Sequence, residues 1–243
     1  MTAYINLRMN KLLLLSLCLL LLQCSNSGST AMNTLLLKDK ATVSFHSFFD
    51  TKNNREVTNL EAVFEVNIPK QVTQNIKQEN NAVKYDEVGE EKTIESLNKY
   101  LEKLKNYTRY IFEFTIDSIK CKVFTTENID VIHLLMMDKK STTFRYSNES
   151  YFVAGTILKT TDKEMDAQDG DFTNAFNQKT TTYLFDENKL FYHSEQKNSA
   201  PQKSIKLNDQ EAYSKKIDLF LFRQLCVDAI VALKDKHPEL FQE

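Results

Sequence analysis

Apolar and polar residues alternate at period two along much of this chain, and recur at every third or fourth position in two places. From Thr42 to Phe49 the alternation puts Val43, Phe45, Ser47 and Phe49 on one side and Thr42, Ser44, His46 and Phe48 on the other, which predicts a strand. Asp50 to Asn54 is a polar turn, and Val57 to Ile68 returns with Ala62, Phe64, Val66 and Ile68 on one face until Pro69 ends it. The two runs predict a hairpin. Lys70 to Asp86 is polar and irregular. A helix is then expected over about Glu90 to Asn106, where Ile94, Leu97, Leu101 and Leu104 make one apolar stripe and Glu90 and Glu91 suit the positive end of the macrodipole. So narrow a stripe places that helix on a surface rather than inside.

The stretch Arg109 to Thr161 reads as the heart of a sheet. Tyr110, Phe112, Phe114 and Ile116 alternate with polar residues, and the apolar phase then flips to Ile119, Cys121 and Val123. Such a flip needs a turn near Asp117-Ser118 or a bulge. Ile129 to Met137 is apolar almost throughout, as a buried strand or a short helix would be. Thr142–Tyr146 and Tyr151–Thr161 flank the polar run Ser147 to Ser150, which predicts a hairpin loop there. A further hairpin is expected from Thr180–Asp186 and Lys189–Glu195, turning near Glu187-Asn188. After a linker containing Pro201, Asn208 or Asp209 can cap a long helix that runs to about Lys236, with Glu211 placed as in a capping box and Pro238 as its stop. Leu219, Phe222, Leu225, Cys226, Ala229, Ala232 and Leu233 form its broad apolar face, which predicts packing across the inner face of the sheet. The pattern is an α+β domain: a mainly antiparallel sheet of hairpins, one inserted amphipathic helix and a long C-terminal helix packed on the sheet.

One segment follows neither period. Leu12 to Leu22 is nearly all leucine, preceded by Arg8 and Lys11 with no acid before Cys24, and followed by polar residues from Gln23 onward. This is the layout of a secretory signal peptide, and the apolar run is about half of the ~20 residues a spanning helix needs. Expected boundaries are therefore a signal peptide over 1–23, a tether over 24–40 in which Leu35 to Leu37 could begin the fold, and a single domain over 41–243.

Composition narrows the function classes. Without Arg8 and Lys11 the chain carries 29 basic and 33 acidic residues, which argues against a nucleic-acid partner. Only Gly28, Gly89, Gly155 and Gly170 occur, too far apart for a phosphate-binding loop, a dinucleotide fingerprint or a nucleophile elbow.

The end of the leucine run, Leu21-Leu22-Gln23-Cys24, resembles the lipobox of bacterial lipoproteins. The resemblance covers the first tenth of the chain, and Gln23 stands where that family usually has Gly, Ala or Ser. It implies lipidation of the Cys24 thiol, with Cys24 as mature N-terminus and the membrane as partner through the lipid. Ser25, in place of an Asp, implies the outer rather than the inner membrane. Several acyl chains, at roughly 0.8 kcal/mol per buried CH₂, make such attachment durable. The alternative is an ordinary signal peptide cut between Ser27 and Ala31, which discards Cys24. Cys121 and Cys226 remain in the domain. In an exported protein they can pair as a disulfide, or each can stand alone as a buried apolar residue.

Candidate chemistry is sparse. Asp162, Glu164, Asp166, Asp169 and Asp171 could offer oxygen ligands to calcium, but Ala167 and Thr173 stand where the turn glycine and closing glutamate of an EF-hand belong, and a solvated loop explains the run as well. His46, His133, His193 and His237 have no metal-ligand spacing, so neither a metal nor a cofactor is expected. His193 and Glu195 share a strand face and could form an acid/base pair; Asp218 interrupts the apolar face of the last helix. The sequons Asn106-Tyr-Thr108 and Asn148-Glu-Ser150 matter only in a eukaryotic host. The expectation is a lipid-anchored, non-catalytic envelope protein that acts through its surface on a partner or matrix. The alternative is a carrier of an apolar ligand held between the sheet and the C-terminal helix.

Overall fold

The computed structural model describes residues 30–71, 87–138, 143–167, 171–172, 175–186, 189–198, 200, 203–204 and 209–242. The leucine run, Cys24 and the first part of the tether lie outside them. The first element is helix α1, Thr30–Leu36. Its Met32 and Leu35 are buried in the main core while Leu37 stands in solvent. The tether expected over 24–40 thus already belongs to the fold by Thr30, because an apolar residue next to an open hydrophobic face is removed from water there.

Among the described residues ten strands follow: β1 Lys40–Asp50, β2 Arg55–Asn67, β3 Tyr110–Ile116, β4 Ile119–Thr125, β5 Val131–Asp138, β6 Phe144–Val153, β7 Thr156–Asp166, β8 Asn177–Asp186, β9 Lys189–Lys197 and the two-residue β10 Lys203–Ser204. Helix α2, Glu87–Lys105, lies between β2 and β3 in sequence, and helix α3, Asp209–Lys236, closes the chain with a 3₁₀ turn at Pro238–Leu240. The strands form one antiparallel sheet in the order β10-β9-β8-β7-β6-β5-β4-β3-β1-β2. From β3 onward each strand pairs with the next, so most of the sheet is a meander. The inserted α2 lets β3 return beside β1 instead of β2. This is the α+β architecture the patterning predicts.

Local chemistry sets the register. A bulge at His46, between Phe45 and Ser47, inserts one residue into β1 against β3, while against β2 the extra residues lie on β2, between Thr58 and Ala62. The inward phase therefore passes from Val43 and Phe45 to Phe48 and Asp50, all buried. The even alternation expected from Thr42 to Phe49, with Ser47 and Phe49 beside Phe45, is corrected by that single extra residue. The phase flip after Ile116 is a turn: Asp117 takes φ 50° and its carboxylate accepts hydrogen bonds from Thr42 N (3.0 Å) and Lys38 Nζ (2.6 Å). Of the run Ile129 to Met137, the residues from Val131 onward form the strand β5, and Ile129 lies in the turn before it with φ 58°.

The loop expected at Ser147 to Ser150 does not exist. Strand β6 runs straight through it, and the chain reverses instead at Ala154-Gly155, with φ 46° and 77°. Asn148 and Ser150 face inward and are buried. Asn148 Nδ2 donates to Thr160 Oγ1 (2.7 Å) and Asp162 Oδ1 (2.8 Å), and Ser150 Oγ donates to Asn148 Oδ1 (2.7 Å). A hydrogen-bonded polar row inside a sheet has the composition of a loop, which is why the pattern misleads.

Helix α3 has 28 residues. At 1.5 Å per residue it is about 42 Å long, enough to cross eight or nine strands spaced ~4.8 Å apart. Lys215 reaches Asp162 on β7, Phe220 packs on Phe152 of β6, and Lys236 lies over Phe64 of β2. Just past its end, Phe241 packs on Phe48, Tyr110 and Phe112. The predicted apolar face is buried: Leu219, Phe222, Leu225, Cys226, Ala229 and Leu233 are at most 1% exposed, and Ala232 is partly covered. Each large side chain so buried stabilises the fold by about 1.5–3 kcal/mol. Side chains of Phe45, Phe112, Phe114, Ile132 and Leu134 fill the facing side of the sheet.

Candidate functional site

The opposite face of the sheet is only partly covered. Helix α2 docks there through its predicted stripe: Leu101 and Leu104 are buried against Tyr151, with Leu97, Val131, Val153 and Leu158 around them. Beside it stands a row of three outward-facing rings from β4, β5 and β6. His133 stacks on Tyr151 (centroids 4.2 Å apart, 6° between planes) and on Phe124 (5.0 Å, 19°). The register places Phe124 opposite His133 and His133 opposite Tyr151, so the stack is a direct cross-strand ladder. One residue row further, Glu149 Oε1 meets His133 Nε2 (2.9 Å) and accepts a hydrogen bond from the Tyr151 hydroxyl (2.7 Å). The His133 hydrogen bond, with that from Tyr151, holds the Glu149 carboxyl down at about 2 against the burial that opposes it. Burial, then the bond to Glu149, pushes the Tyr151 phenol up.

The ring row divides two hollows. The smaller, about 280 Å³, lies under the C-terminal end of α2 between Leu104, Phe124, Val131, His133 and Tyr151. The larger, about 780 Å³, is a groove over β1 and β3 to β7. The outward residues Leu135 and Met137 form its apolar floor, flanked by His46, Glu113, Thr115, Lys120, Lys122, Ser147, Glu149, Thr161 and Lys163. Across the strands Lys120 stands opposite Met137, Met137 opposite Ser147 and Ser147 opposite Lys163, so two ammonium groups bracket the apolar floor. Lys122 pairs with Glu113 at 2.6 Å. Among the described residues no carboxylate pairs with Lys120 or Lys163. A cleft of this volume with an apolar floor and a charged rim is of the size class that holds small ligands.

A carboxylate held as low as that of Glu149 is a weak base at neutral pH; one of its two hydrogen bonds ties it to the His133 imidazole and the other to the Tyr151 hydroxyl. No group of three His, Cys, Asp or Glu side chains among the described residues could hold a metal ion.

The other sequence candidates lie elsewhere. Asp162, Glu164 and Asp166 are on β7, not in a calcium loop; residues 168–170 are outside the described set. The buried Asp162 carboxylate meets Lys215 Nζ at 2.7 Å and accepts from the Tyr146 hydroxyl, whose pKa burial and this neighbour push well up. That knot ties the start of α3 to the inner face. Glu195 pairs with Lys179 (2.8 Å) and Lys197 (3.3 Å), while His193 stacks on Tyr183 (4.7 Å), so the two are not brought together. Asp218 is half-buried and its carboxyl is raised by burial. Asn148 of the second sequon is enclosed in the sheet. Cys121 and Cys226 are both buried free thiols in the main core.

Sequence reasoning missed the groove. One signal was present: β5 is apolar in both phases, Ile132, Leu134 and Met136 inward and Leu135 and Met137 outward. A strand apolar on both faces is expected to have both covered, yet Met137 stays 39% exposed. Comparison with protein-family models, with curated proteins and with solved structures finds no match to this chain.

Proposed function

We propose that this chain is a lipid-anchored protein of the bacterial cell envelope that acts by binding and not by catalysis, and that its outer groove takes a single-chain anionic amphiphile such as a fatty acid. The observation that carries the reading is the 780 Å³ groove itself: an apolar floor at Leu135 and Met137 between Lys120 and Lys163. An acyl chain on the floor removes apolar surface from water, and an anionic head beside either ammonium gains a charge-assisted contact. The helix–sheet interface is filled by the side chains described above, so the ligand belongs on the face that α3 leaves open. Membrane attachment is assigned to the lipid on Cys24, which leaves the groove free for cargo. No helix among the described residues is long and apolar enough to cross a membrane.

The test is titration of the purified protein with a fluorescent fatty acid, together with solvent extraction and mass spectrometry of what co-purifies. Leu135→Glu puts a carboxylate on the floor and should weaken binding at least tenfold, about 1.4 kcal/mol, with the folded spectrum unchanged. Equal affinity in parent and variant sinks the groove. Cys24→Ala should abolish fatty-acid labelling in a bacterial host; labelling that persists, or is absent in the parent, sinks the anchor.

A further inference from the structure

Across the ring row from the groove lies the 280 Å³ hollow between the last turn of α2 and the outward faces of β4 and β5. Leu104, Phe124 and Val131 give it hydrocarbon walls, and the rings of His133 and Tyr151 complete them. The polar groups along those walls already have partners. Lys105 Nζ pairs with Glu102 at 2.7 Å, Thr125 Oγ1 donates to the Val131 carbonyl (2.7 Å), and Thr126 Oγ1 donates to Asp130. His133 Nε2 and the Tyr151 hydroxyl both meet Glu149. Glu102, Asp130 and Glu149 do not themselves line the hollow. A charged head entering it would lose water and meet no unpaired opposite charge, whereas a hydrocarbon gains by leaving water.

We propose that this hollow is a second binding site, selective for an uncharged hydrocarbon group. An apolar protein cavity of about 150 Å³ holds one benzene, so the hollow admits a group of about ten carbons. Two sources share that chemistry: a free small apolar molecule, or the tail end of a long amphiphile whose head lies in the groove. Strand β5 links the second source to both hollows, since Val131 and His133 line one and Leu135 and Met137 the other. The site does not rest on the groove reading, because its own lining selects its ligand.

The probes are naphthalene, which is uncharged and of this size, and its anionic counterpart naphthalene-1-sulfonate. The chain has no tryptophan, so naphthalene fluorescence reports binding to the full chain without tryptophan emission beneath it. Saturable naphthalene binding is expected, with the sulfonate about tenfold weaker. Val131→Phe and Leu104→Phe each put a ring into the hollow, one from the strand and one from the helix. Each should weaken naphthalene about fivefold with the circular dichroism spectrum unchanged; where one ring upsets the fold, the other variant carries the test. Fatty acids below their micelle-forming concentrations separate the sources. Octadecanoate that displaces naphthalene where octanoate does not assigns the hollow to the tail of a long chain, and displacement by neither assigns it to a free molecule. Whether the fatty acids themselves bind is read from the titration described above, so a failed groove leaves the hollow standing. Displacement by octanoate as well places naphthalene in the groove and overturns the proposal. So does an absence of saturable naphthalene binding, parent-like binding by both folded variants, or sulfonate binding as tight as that of naphthalene.

Discussion

Replacing Lys215 by Met should be among the most damaging single changes at the start of α3. The Lys215 ammonium lies 2.7 and 2.9 Å from the two oxygens of Asp162 and 3.0 Å from the Tyr146 hydroxyl. The two charged side chains are 11% and 6% exposed. Methionine keeps the length and the packing over the Tyr146 ring but removes the cation. Asp162 is then left with two neutral donors, the Tyr146 hydroxyl and Asn148 Nδ2. Breaking a buried pair from one side costs about 3–5 kcal/mol. The two remaining hydrogen bonds to a charged acceptor retain part of that, so the expected loss is about 3 kcal/mol. For a domain of this size it should appear as a fall in melting temperature of roughly 6–12 °C. The assay is urea and thermal unfolding followed by far-ultraviolet circular dichroism, in a cycle with Asp162→Asn and the double variant. The double variant should lose less than the two singles added together, by about 2 kcal/mol. A cost below about 1 kcal/mol for Lys215→Met, or simple additivity, would mean the pair behaves like a solvated surface bridge and would refute the reasoning.

Three further outcomes are expected. Leu35→Ala should destabilise by about 2–5 kcal/mol in chemical unfolding, because Leu35 is 3% exposed in the core; a cost near zero would return α1 to the tether. Glu149 has its folded pKa held at about 2, below its ordinary value, so its stabilisation is full above about pH 5 and fades as pH falls toward 2. Glu149→Gln should lose about 1 kcal/mol at pH 7, discounted for its exposure, and the gap from the parent should close in acid titration of the unfolding free energy. Ala154→Gly should stabilise by about 1 kcal/mol, since Ala154 is held at φ 46°; an unfolding midpoint unchanged or lowered would contradict that strain.

Much of the fold was legible along the chain. Alternation located the first hairpin, the Asp117 turn and the β8–β9 pair, and the three-to-four spacing located both long helices. The misreadings share one cause. Asn148, Ser150 and Asp162 were read as loop residues because polarity in a sequence normally means water, whereas here each polar group finds its partner on the next strand or on α3. The same blindness applied to His46: one inserted residue moves Phe48 from one face to the other, and only the pairing of β1 with β3 reveals which residue is the insertion.

The candidate site divides in the same way. Alternation of polar and apolar residues fixes which residues of a strand share a face, so Lys120 with Lys122, and His133 with Leu135 and Met137, could be grouped from the sequence. Which strands are neighbours, and in what register, depends on hydrogen bonds between segments far apart in the chain. That pairing alone joins Phe124, His133 and Tyr151 into one stack and sets Lys120 and Lys163 on either side of Met137. The length and apolar face of α3 are local properties, written in 28 consecutive residues. That it covers the inner face and fills it while the outer groove stays open is decided by burial summed over the whole sheet, which no single segment carries.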